Sequence, residues 1–115
     1  MRGRERFAEL FAKGRRAAAG NVAARALANP DGATRVAAVA GKALGNAVKR
    51  NRLRRRIRAA YRMQKDALPK GCDIALLARP GLLEASWRDV MRDVRKTVER
   101  AAKEDSSPRR PDRPE

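Results

Sequence analysis

Between Lys49 and Lys65 nine side chains are cationic, namely Lys49, Arg50, Arg52, Arg54, Arg55, Arg56, Arg58, Arg62 and Lys65, and none is acidic. Seven of the nine are arginine, whose planar fork matches phosphate oxygens better than an ammonium does. Wound into a helix, the run sets like charges four residues apart, as at Arg50 and Arg54 or Arg54 and Arg58. Each such pair costs about 0.2 to 0.5 kcal/mol. A segment that repels itself needs a counter-charge from outside, so the chemistry on offer is the gripping of phosphates. Just ahead of it Gly41 and Gly45 bracket Lys42, and the first backbone N–H groups beyond Asn46 form a natural anion site.

The rest of the chain offers little that reacts. Histidine is absent and Cys72 is the single cysteine, which excludes an internal disulfide and the usual metal-ligand clusters. A protein nuclease would need a base, a nucleophile or a set of metal-binding carboxylates, and the acids are scattered or sit among bases near the C-terminus. Lysine and arginine number 29 against 13 acids, a net charge of +16 with a pI near 11.6. Such an excess repels itself in a compact state, which makes sense if the partner is a nucleic acid. With four aromatic residues and no apolar run of about 18, no membrane contact or span is expected. Charges occupy the place of a signal peptide's apolar stretch, so the expected location is cytoplasmic, and no small-molecule substrate is expected.

To face a polyanion the cationic run must be held as a helix. Asn46 stands as its N-cap after Gly45, and Pro69-Lys70-Gly71 ends the segment AVKRNRLRRRIRAAYRMQKDAL. Leu53, Ile57, Ala60, Tyr61, Gln64 and Leu68 fall along one stripe by which it can pack. A short amphipathic helix is predicted from Glu5 to Lys13, with Phe7, Leu10 and Phe11 on one face and Gly14 as its stop. VAARALA and TRVAAVA, separated by Asn29-Pro30-Asp31-Gly32, read as two strands of a hairpin or meander. The turn and the shortness of the apolar runs outweigh alanine's helical propensity there. CDIALLA, Cys72 to Ala78, has the length and composition of a strand and puts Cys72 in or near the core.

Ser86 and Asp89 make a capping box for a last helix carrying Trp87, Val90, Met91, Val94 and Val98 on one face. Its bases, Arg88, Arg92, Arg95, Lys96, Arg100 and Lys103, are interspersed with Asp89, Asp93 and Glu99, the pattern of an ordinary solvated surface. Residues 1–103 read as one domain, and 104–115 as a proline-rich, charged tail expected to be disordered.

The run G-N-A-V-K-R-N-R-L-R-R-R-I-R, Gly45 to Arg58, resembles the signature of the bacterial ribonuclease P protein component, approximately K-x-x-G-N-A-V-x-R-N-x-x-K/R-R-x-x-R. F-A-E-L-F-A-K-G (Phe7 to Gly14), T-R-V-A-A-V-A-G-K (Thr34 to Lys42) and D-I-A-L-L-A-R-P (Asp73 to Pro80) follow in family order, so the resemblance covers about residues 5 to 103. It implies an α+β single domain, α-β-β-β-α-β-α, with a central sheet, a ribosomal-protein-like fold and a left-handed crossover that general chirality rules would not suggest. A further strand near Arg16 to Ala19 comes from the resemblance alone.

By the same resemblance the chain is the protein subunit of an endoribonuclease whose catalysis lies in its RNA, and the polypeptide by itself is not catalytic. The implied partners are the ribonuclease P catalytic RNA and precursor tRNA, whose 5′ leader is removed. No cofactor is expected on the protein, and Mg²⁺ is expected with the RNA subunit. The RNA-contacting role falls on Lys42, Asn46, Lys49, Arg50, Asn51, Arg54, Arg55, Arg58 and Arg62, and the lining of a leader cleft on Phe7 and Phe11. Spacing alone equally allows plain core packing for the two phenylalanines. Relatives often carry a serine and a second lysine where this chain has Gly41 and Ala43, and aromatics where it has Val22, Ala23, Ala24 and Arg25. That difference implies leader binding that leans on charge more than on stacking. A ribosomal protein fits the charge as well, and only the Gly45 to Arg58 signature separates it; a nucleoid-type DNA binder is a third option, discriminated by competition between duplex DNA and structured RNA at equal salt.

Overall fold

The computed structural model describes residues 4–29 and 32–103. The elements are α1 (Arg4–Lys13), β1 (Arg15–Ala19), β2 (Val22–Ala28), β3 (Arg35–Val39), α2 (Ala47–Gln64), β4 (Cys72–Ala78) and α3 (Trp87–Lys103). Short 3-10 turns occupy Lys42–Leu44, Lys65–Ala67 and Pro80–Leu83. This is the expected α-β-β-β-α-β-α order, including the strand at Arg15–Ala19 that local propensity does not announce. The expected tail and Pro30-Asp31 of the expected turn lie outside the described residues.

The four strands run in the order β1-β2-β4-β3. β1 and β2 pair antiparallel, β2 pairs antiparallel with β4, and β3 pairs parallel with β4. The hairpin reading of VAARALA and TRVAAVA is therefore wrong: both segments are strands, but β4 lies between them. The physical reason is burial. The first five residues of β4, Cys72 to Leu76, are all buried, and so apolar a strand belongs at the centre of the sheet. The true hairpin joins β1 to β2 through Gly20 and Asn21, with Ala19 opposite Val22.

Alternation along the strands gives the sheet two different faces. Val22, Ala24 and Ala26 of β2 and Cys72, Ile74 and Leu76 of β4 enter the main core with Leu53, Ile57 and Ala60 of α2 and Val90, Val94 and Val98 of α3. Small alanines on the sheet let the larger side chains of the helices sit close, the complementarity that dense packing requires. Each buried aliphatic side chain adds roughly 1.5 to 3 kcal/mol. That core fixes α2 by one stripe only. Leu53, Ile57, Ala60 and Leu68 of the expected stripe are buried, with Tyr61 and Gln64 half-buried. Cys72 is buried, as expected.

The opposite face carries Arg25 beside Ala75 and Leu27 beside Asp73, and α1 packs over them with Leu10 fully buried. On α3 the apolar face differs from the expected one at its first residue. Trp87 is 40% exposed, and its place in the buried stripe is taken by Asp93, Thr97 and Ala101. Ser86 does cap the helix, its hydroxyl accepting from the Asp89 N–H at 3.1 Å.

Candidate nucleic-acid interface

The geometry of the interface begins with how α2 starts. Gly45 has φ of 129°, a left-handed conformation, and a Cβ there would come within 2.9 Å of the Lys49 side chain. Only glycine is at ease in that position. The next residue, Asn46, is extended and its side-chain oxygen accepts from the Lys49 N–H at 2.9 Å. It is an N-cap of the kind that typically contributes about 1 kcal/mol. The Asn46 oxygen is thus committed to the helix, and one of the free N–H groups expected to bind an anion is already satisfied.

From this start Arg50, Arg54, Arg58 and Arg62 recur every fourth residue, each step rising about 6 Å along the axis. They form a ridge beside the buried stripe of Leu53, Ile57 and Ala60. Arg58 and Arg62 are exposed, Arg50 and Arg54 half-buried, while Lys49 and Arg55 are exposed on neighbouring turns. Among the described residues no carboxylate lies within salt-bridge distance of any α2 cation; the pairs that do form involve Arg6, Arg35 and Arg92. Asn51 accepts a short hydrogen bond from Arg54, so its first task is to aim that guanidinium. The Nε of Arg50 is buried without a partner. Lys42 sits exposed in the 3-10 turn that precedes the helix.

Arg56 behaves differently. It donates to the carbonyls of Leu83 at 3.0 Å and Ala85 at 2.7 Å, clamping the segment that leads into α3. Gln64 does the same for Met91, at 2.9 Å. One of the nine cations is therefore consumed by the fold, and the others remain available.

On the other face of the sheet Phe7 and Phe11 are half-buried, their ring centroids 5.0 Å apart and tilted by 44°. The Arg25 guanidinium lies 5.3 Å from the centre of the Phe11 ring and also donates to the Phe11 carbonyl. Burial first, and Arg16 second, lower the Arg25 pKa. The two rings are half-buried outside the main core, with the Arg25 cation of β2 beside Phe11.

Two carboxylates that matter were missed at the level of sequence. Asp73 is 1% exposed and accepts from Arg6, from Asn29 at 2.8 Å and from Arg35 at 3.3 Å, tying α1, β3 and the end of β2 to β4. Burial alone pushes its carboxyl up, but those hydrogen bonds outweigh burial and hold it below its ordinary value. Asp93, 2% exposed, accepts from the Asn21 N–H at 3.1 Å and fills the space beside Gly20, where a Cβ would collide with it. Both had a signal. Asp73 is an acid inside an otherwise apolar strand, and Asp93 falls between Val90 and Val94 on the inward face of α3, where a charge must find partners.

The fold and the ridge together define a small α+β domain with one helix exposing a cationic edge. Comparison with known proteins sharpens this. A family model described as Ribonuclease P matches residues 1–102. A ribonuclease P protein component of Clavibacter michiganensis is 35% identical over 95 residues, covering 82% of this chain and 84% of that one. Another, from Kocuria rhizophila, is 32% identical over 103 residues, covering 90% and 91%. The solved structure of the RNase P protein from Thermotoga maritima superimposes with a TM-score of 0.79 at 26% identity, covering 87% of this chain and 94% of that one. That from Staphylococcus aureus, at 24% identity and a TM-score of 0.75, supports the fold. The chain belongs to the bacterial ribonuclease P protein family, which decides against the ribosomal-protein and nucleoid alternatives.

Proposed function

We propose that this chain is the RNA-binding protein subunit of ribonuclease P, gripping the catalytic RNA with the α2 ridge and assisting removal of the 5′ leader from precursor tRNA. The observation that carries the reading is the ridge itself, arginines every fourth residue with no carboxylate of the described chain to neutralise them. An RNA backbone supplies the missing charge. Each phosphate neutralised releases counterions, so log affinity falls with log salt by roughly 0.7 to 0.9 per contact. Lys42, Lys49, Arg50, Arg54, Arg55, Arg58 and Arg62 make the phosphate contacts, while Asn46 and Asn51 shape the helix start and aim Arg54.

The leader lies along the sheet face beside α1, where a base stacks on Phe7 or Phe11 and Arg25 adds charge. Alanine at positions 23 and 37 leaves that floor shallow, which favours charge over stacking. Bridging the two RNAs raises substrate affinity and reduces the Mg²⁺ needed to screen RNA from RNA. Family membership supports assigning Mg²⁺ and bond cleavage to the RNA subunit. No helix among the described residues is long and apolar enough to cross a membrane.

Reconstitution with a bacterial ribonuclease P RNA tests this. Leader removal at low Mg²⁺ is expected to accelerate when the chain is added. A chain that neither binds that RNA nor changes the rate overturns the proposal.

A further inference from the structure

The C-terminal half of α2 borders a groove of about 520 Å³ whose opposite wall is β3, one of the two edge strands of the sheet. Val36 of β3 and Tyr61 of α2, both half-buried and packed against the core, give it apolar walls. Arg58, Arg62 and Lys65, all exposed, line its rim. Thr34 is held in place, its hydroxyl accepting from the Gly71 N–H at 2.8 Å. Among the described residues Asp66 is the one acid lining the groove, and beside it the Lys70 ammonium donates to the carbonyls of Lys65, Asp66 and Leu68.

A bare phosphate needs no aromatic wall, and an apolar ligand gains nothing from three exposed cations. The combination suits one nucleotide of an unpaired strand, its base against Tyr61 and Val36 and its phosphate among the cations. A duplex cannot use the groove in this way, because stacked and paired bases leave no face for the ring. Burial pushes the Tyr61 phenol above its ordinary value, so at neutral pH it keeps its proton and can donate to an oxygen of the nucleotide. Arg58 and Arg62 belong both to the ridge and to the rim, so a strand lying on the ridge leads into the groove.

We propose that this groove is a second RNA site, seating one unpaired nucleotide of the RNA bound along α2 and separate from the sheet face beside α1. The proposal rests on the RNA-binding reading of α2. NMR on the full chain tests it with adenosine 5′-monophosphate and inorganic phosphate as probes. The nucleotide is expected to produce ring-current shifts at the Tyr61 ring and the Val36 methyls that inorganic phosphate does not. Tyr61→Phe, which keeps the ring and loses the donor, should weaken nucleotide binding about two- to threefold, and Tyr61→Ala about tenfold or more. If Tyr61→Ala fails to fold, the pair Arg62→Gln and Lys65→Gln, both exposed, should weaken the nucleotide while leaving the spectrum of the core unchanged.

Equal shifts from nucleotide and phosphate would reduce the groove to an anion site and overturn the proposal. So would full affinity in Tyr61→Ala, or in the double glutamine variant. A chain that binds ribonuclease P RNA but shows no Tyr61 response overturns the groove alone, whereas loss of RNA binding altogether overturns the function.

Discussion

Arg6 and Arg35 converge on one buried carboxylate, Asp73, whereas Arg54, Arg58 and Arg62 on α2 meet none among the described residues. The same side chain thus serves two ends in one small domain. Asp73 and Asp93, two of the thirteen acids in a chain of net charge +16, are placed inside, where Asp73 ties α1, β3 and the end of β2 to β4 and Asp93 ties the β1–β2 turn to α3. Along α2 repulsion is left standing, which weakens the helix slightly and keeps its cations available. Apart from Arg56, which clamps Leu83 and Ala85, the cations of α2 lie away from these buried carboxylates, so the two groups of charges, one used for cohesion and the other for capture, can be probed separately.

The largest expected effect comes from removing the capture side. Replacing Arg54, Arg55 and Arg58 with alanine should lower affinity for ribonuclease P RNA by on the order of a hundredfold or more at low salt, since hydrogen bonds to charged groups contribute roughly 1.5 to 3 kcal/mol each. The salt slope should flatten by about 2 to 3. The melting temperature should hold or rise, as like-charge pairs are removed. A melting temperature that falls with the triple change would erase the contrast between the two regions.

On the cohesion side Asp73→Ala should cost about 1 to 3 kcal/mol of folding stability by leaving buried donors unsatisfied, read from urea denaturation. Its RNA affinity per folded molecule should be unchanged. Titration sharpens the point. Because the folded pKa of Asp73 lies below its ordinary value, its contribution is complete above the usual carboxylate range and is lost as pH falls through the folded value. Asp73→Asn should therefore narrow the stability difference from the parent chain below about pH 4.

Gly45→Ala should destabilise by about 1 kcal/mol, through a left-handed φ and the collision with Lys49. Smallest is Asn51→Ala, which frees Arg54. It should weaken RNA binding by about two- to fivefold, a fraction of 1 kcal/mol, with no measurable change in thermal stability because both groups lie at the surface.

Much of this was legible from residue types and spacing. Gly45, Asn46 and the stripe through Leu53, Ile57 and Ala60 announced α2, its cap and its buried side, because helix starts and periodicity are local properties. Strand neighbours are not local. Nothing near VAARALA or TRVAAVA says that Cys72 to Ala78 will separate them, and β1, written R-R-A-A-A, takes its conformation from pairing with β2 rather than from its own residues. At the interface the nine cations were visible, but their division was not. That Arg56 clamps Leu83 and Ala85, or that Tyr61 faces a groove beside Val36, depends on chain segments more than twenty residues away.

The central position of β4 also governs the order in which this molecule can come together. A growing polypeptide that has not reached Cys72 has its β1–β2 hairpin and the segment of β3 but no strand to join them. Until that strand emerges, two sheet edges stay open to the wrong neighbour, and α2, already synthesised, has only half a surface to rest on. Truncation anywhere before residue 78 should therefore abolish the whole tertiary structure and not merely its last third.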